Sequence, residues 1–120
     1  MRRRGAPLAG VLLAVSVTAG CTPGAAGNAL AGKSCAHVVA GLAAYRRAVD
    51  APTPSDQARY EGIALVQLEK ALPFASQAAE ADGKWQALMT TLQDVNRVPI
   101  GRLVAALEVQ CNAAPGHQAH

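Results

Sequence analysis

Seven residues constrain this chain more than any others. Phe74, Ala78, Ala81, Trp85, Leu88, Leu92 and Val95 are spaced 4-3-4-3-4-3. Apolar residues at that spacing form one stripe along a helix, and the stripe must be buried against another helix. The stripe runs through Asp82 and Gly83, so one continuous helix is expected there despite the glycine. A seam so short and so rich in alanine suits packing within one bundle better than a coiled coil between chains.

The neighbouring segments repeat the pattern. Cys35, Val38, Val39, Leu42, Tyr45 and Val49 follow one another at helical spacing, with Ser34 placed to cap the helix start. Gly41 within that run costs about 1 kcal/mol relative to alanine, which marks a close packing contact. The stretch "DAPTP" ends the helix, and Thr53-Pro54-Ser55-Asp56 starts the next, with Thr as N-cap and Pro at the first helical position. In this second helix Ala58, Leu65, Leu68 and Leu72 form one stripe. Ile63 and Val66 lie off it, as a second packing contact or as a surface for a ligand or partner. Pro73 interrupts next. After "NRVPIG", Ile100, Val104, Leu107 and Cys111 are again spaced 4-3-4. No stretch shows the period-two alternation of a strand, so the fold class is all-α, a small up-down helical bundle.

The start of the chain has a different character. Arg2, Arg3 and Arg4 precede an apolar run from about Leu8 to Val17, then small residues and Cys21. This is the layout of an export signal. The run is shorter than the ~20 apolar residues that cross a bilayer. The sequence Thr18-Ala19-Gly20-Cys21 resembles the lipobox of bacterial lipoproteins. That resemblance implies that Cys21 receives a diacylglycerol, that residues 1–20 are removed, and that the chain is held on the extracytoplasmic face of the cell membrane. The chain as a whole is similar in composition to small alanine-rich actinobacterial lipoproteins, a likeness that implies no activity.

Export also governs the other two cysteines. Cys35 and Cys111, 76 residues apart, would sit in an oxidising compartment and are expected to form a disulfide. A loop of that size stabilises by about 4 kcal/mol in the loop-entropy account. The bond also restricts topology. With Cys35 opening the first helix and Cys111 closing the last, an up-down bundle brings them together only if its helices are even in number. Four helices are therefore expected, with a reversal near Pro73; the rival is three helices, with one long helix from Pro54 to Asn96 kinked at Pro73. The domain plan is a signal peptide over 1–20, a lipidated cysteine and flexible Gly-rich tether over 21–33, the bundle over 34–112, and a frayed tail over 113–120.

Charge and side-chain chemistry narrow the function. Of 11 Lys and Arg residues three lie in the signal, leaving eight against eight Asp and Glu. The mature chain is near neutral, without the basic excess that nucleic-acid binding needs. There is no phosphate loop, no HExxH and no serine in a nucleophile-elbow setting. Cys35 and His37 diverge on a helix, and Ser34 is better used as a cap. His117 and His120 sit on the tail, too few to hold a metal, and no cofactor is expected. Glu61 falls near an apolar stripe and is the one acid placed to meet a ligand. Trp85 and Phe74 are expected as core anchors. The expectation is a non-enzymatic, lipid-anchored envelope protein that acts as an interaction module for an undefined envelope partner. The alternative is a carrier of a small apolar ligand, lipid or haem, between its helices.

Overall fold

The computed structural model describes residues 23–114. Four helices are present among them: α1, Pro23–Val49; α2, Pro54–Ala81; α3, Gln86–Gln93; and α4, Val104–Asn112. One-turn 3-10 helices, Gly83–Trp85 and Ile100–Arg102, precede α3 and α4. No strand occurs among the described residues, and the all-α class read from the periodicity holds.

Helix α1 starts eleven residues earlier than expected. Residues 23–33 belong to it, so they are not a flexible tether, and Ser34 is not a cap. Pro23 suits the first turn, where a missing N–H breaks no bond. Of the glycines that suggested a tether, Gly27 is a packing position. A Cβ on Gly27 would lie 3.0 Å from Cβ of Asp82 and 3.5 Å from Cδ1 of Trp85. Contact with α2 and its following turn offsets the helix cost of glycine. Ser34 is fully buried, and its hydroxyl donates to the Ala71 carbonyl across the interface at 2.9 Å.

Helix α2 opens as its sequence indicates. Thr53 is extended and its hydroxyl accepts from the Asp56 amide at 3.1 Å, with Pro54 at the first position. The helix then passes through Pro73 and ends at Ala81. The reversal expected at Pro73 occurs instead at Asp82 and Gly83. Pro73 is exposed, so it costs one backbone hydrogen bond while Ala71, Ala75 and Ala78 stay buried on the opposite side. Asp82 is extended, and its carboxylate accepts from the Lys84 amide at 3.1 Å, which caps the next turn. The 4-3 stripe is thus shared by two antiparallel helices. Ala78 is buried on α2, Ala81 is exposed at the turn, and Trp85, Leu88, Leu92 and Val95 are buried along α3 and its exit. The even helix count holds although the turn lies elsewhere.

Two kinds of packing build the core. Between α1 and α2 the contact is made by small residues. Gly27, Ala31, Ser34, Val38 and Gly41 face Ala64, Leu68, Ala71, Ala75 and Ala78, and both rows are spaced 4-3-4-3 or its reverse-running equivalent. A Cβ on Gly41 would lie 3.0 Å from Cγ and Cδ2 of Leu68 and 3.3 Å from the Ala64 carbonyl oxygen, so this glycine lets the backbones approach closely. On the other flank of the hairpin, Leu42, Leu88, Leu92, Leu103 and Leu107 fill the space with larger side chains. The disulfide between Cys35 and Cys111 ties α1 to α4 there. Because α1 is longer than expected, Cys35 sits near its middle, about 18 Å from its start at 1.5 Å per residue.

Candidate functional site

Ile63 and Val66 lie on the outer side of α2 and are 43% and 48% exposed. The expectation that they make a second packing contact within the bundle is overturned. Helices α3 and α4 both lie on the opposite flank of the α1–α2 hairpin, as the Cys35–Cys111 bond and the Asn96 side chain donating to Glu69 at 3.1 Å show. Both helices are too short to wrap around. Of the two readings left open by the sequence, an exposed surface is the one observed.

Glu61 occupies a cleft of about 400 Å³ between α1, α2 and the chain from Val95 to Gly101. Tyr45 and Leu65 form one wall, and Val98, Pro99 and Ile100 form the other. A Cβ on Gly101 would fall 2.6 Å from the Tyr45 hydroxyl; only glycine leaves the tyrosine its place. The Glu61 side chain is half-buried and makes no hydrogen bond or ion pair among the described residues. The arrangement offers apolar walls with the Glu61 carboxylate, the Tyr45 phenol, the Asn96 amide and the Arg97 guanidinium at the lining, suited to holding a small molecule by shape and a few polar contacts. Sequence reading found Glu61 but not the cleft. Its other wall comes from an irregular loop whose position no periodicity encodes.

The remaining candidates are placed as follows. His37 Nδ1 is 2.9 Å from Gln67 Oε1, and its ring stacks on Phe74 with centroids 5.9 Å apart and planes at 8°. This contact lies on the flank away from the cleft. Trp85 is buried as a core anchor, whereas Phe74, expected to be one, is only half-buried under His37. Cys35 is held in the expected disulfide with Cys111, which leaves it no reactive thiol. The Tyr60 side chain, with Asp56, raises the Arg59 guanidinium above its ordinary value, so it stays charged. Cys21, the export signal and His117 and His120 lie outside the described residues. Among the described residues no three His, Cys, Asp or Glu side chains converge on a metal position, and no helix is long and apolar enough to cross a membrane. No family model, curated protein or solved structure matches this chain.

Proposed function

We propose that this chain is a non-enzymatic lipoprotein of the cell envelope, anchored on the extracytoplasmic face through a lipid on Cys21, whose bundle acts as an interaction module. The observation that carries the reading is the sequence Thr18-Ala19-Gly20-Cys21 at the end of a basic-then-apolar leader. The early start of α1 supports it. Only Thr22 separates Cys21 from the helix, so an anchored cysteine would hold the bundle directly at the bilayer. The exposed pair Ile63 and Val66 supplies surface for interaction. Replacing Cys21 with alanine is expected to move the protein from the membrane to the soluble fraction of its host. Unchanged membrane retention would sink the anchoring idea.

A second reading, carriage of a small apolar ligand, is favoured by the cleft beside Glu61. Its support lies in the cleft walls of Leu65, Val98 and Ile100, not in an iron ligand, since His37 faces elsewhere. Native mass spectrometry of protein purified from its host is expected to show a bound small molecule that is lost on replacing Ile100 with aspartate. A clean apo mass in the unaltered protein speaks against carriage.

A further inference from the structure

The flank of the hairpin left bare by α3 and α4 has a definite chemistry. On α1 the residues Lys33, His37, Ala40, Ala44 and Arg47 are spaced 4-3-4-3, and on α2 Tyr60, Ile63, Gln67, Lys70 and Phe74 are spaced 3-4-3-4. The two rows run side by side. At one end Lys33 Nζ lies 5.9 Å from the centre of the Phe74 ring, which also stacks on His37. At the other end the guanidinium carbons of Arg47 and Arg59 lie 5.1 and 4.5 Å from the Tyr60 ring. Ile63 and Val66 stand exposed between those ends, with Lys70 beside them.

The eight basic and eight acidic residues that follow the leader are therefore sorted along the molecule. Lys33, Arg47, Arg59 and Lys70 all belong to this flank, and Asp56, paired with Arg59 at 3.5 Å, is its one acid. Asp50, Glu61, Glu69, Glu80, Asp82, Asp94 and Glu108 fall on other sides of their helices, in the turn after α2 or on the α3–α4 half. Long basic side chains around aromatic rings and exposed aliphatic residues suit the boundary of a bilayer, where cations meet headgroups and apolar groups enter below them. Two copies of such a face would repel each other.

We propose that the α1–α2 flank bearing Lys33, Arg47, Arg59, Lys70, Ile63 and Val66 lies against a membrane surface rich in anionic lipid headgroups. The inference names a partner for the anchored module and rests in part on that reading. A lipid on Cys21, just before α1, would keep the hairpin beside the bilayer and raise the local concentration of this weak contact.

The test is flotation of the full chain with phosphatidylcholine vesicles, with and without about one-third phosphatidylglycerol, compared across paired variants of equal charge change. Arg47→Glu with Lys70→Glu alters the flank; Lys84→Glu with Arg102→Glu alters other surfaces. The first pair is expected to weaken partition into anionic vesicles by about tenfold or more, the second by about twofold or less, with high salt erasing the difference. Ile63→Ser with Val66→Ser is expected to weaken binding, while Val109→Ser, at a residue 70% exposed on α4, leaves it unchanged. All seven substituted sites are exposed, so circular dichroism is expected to show the same fold. Equal losses from both charge pairs overturn the inference, as does equal binding to neutral vesicles. Capture of an acidic envelope protein by this flank without vesicle binding also overturns it. Vesicle preference that persists when Cys21→Ala still sits in the host membrane would remove the anchor reading and leave this one standing.

Discussion

The α1–α2 hairpin and the α3–α4 half meet the demand for a packed core in opposite ways. The hairpin joins helices of 27 and 28 residues through glycine, alanine and serine. The other half has helices of 8 and 9 residues carrying large side chains, fastened by a disulfide. Long helices with small seams gain from many close backbone contacts, each weak. Short helices lack the length for that and depend on a few bulky residues and a covalent link. The same difference explains why the hairpin leaves one flank bare: its stability comes from the seam, so it does not need α3 and α4 on both sides.

Breaking the link tests the contrast most severely. Replacing Cys35 and Cys111 together with alanine is expected to cost about 2–5 kcal/mol. Hydrogen exchange should then show α4 losing protection before α1 and α2. Equal loss everywhere would mean the bundle is one cooperative unit and the contrast is only compositional. Leu88→Ala, fully within the larger-residue half, is expected to cost about 2–4 kcal/mol in denaturant unfolding. A cost below about 1 kcal/mol would show that this half collapses around the cavity.

The hairpin is best probed with its glycines. Gly41→Val must push into Leu68 and the Ala64 carbonyl, and is expected to destabilise by about 1–3 kcal/mol. Gly62, in α2, has nothing within 4 Å of a built Cβ, so Gly62→Ala is expected to stabilise by about 0.5–1 kcal/mol through helix propensity. Opposite signs in thermal melts would sharpen the close-approach account, and equal signs would break it. The smallest effect is expected at the Arg46–Glu108 ion pair, which links α1 to α4 at the surface with both side chains about half exposed. Arg46→Ala should change stability by about 0–1 kcal/mol. A larger loss would mean that solvent-exposed charge, and not the disulfide, holds the short half in place.

Much of the architecture was legible in the chain itself. The period of the apolar residues determined the helical class, because burial of a stripe needs a partner helix wherever that partner lies. The two cysteines outside the leader determined their own pairing; the even helix count held for another reason, since Cys35 lies near the middle of α1 and not at its opening. Thr53-Pro54 marked a helix start because a cap is a local bond between near neighbours. Gly41 announced a close contact for the same kind of reason, since a helix pays for glycine unless something fills its side.

Only the tertiary structure decided where the chain turns and which surfaces are covered. Pro73 and Asp82-Gly83 are both plausible breaks in isolation. The choice falls on Asp82 because the row Ala71, Ala75, Ala78 gains more from packing on α1 than Pro73 loses from one hydrogen bond. Residues 23–33 read as a tether until Gly27 and Ala31 are seen against α2 and Trp85. Ala58, Leu65, Leu68 and Leu72 seemed the inner face of α2, yet the better-buried row is Ala64, Leu68, Ala71, Ala75 and Ala78, with Leu65 and Leu72 at its edge. The cleft at Glu61 depends on a loop brought across from more than thirty positions away, between 95 and 101. In each case the outcome depends on what a residue meets across space, and small residues bind tightly only when a second helix comes close enough to touch them.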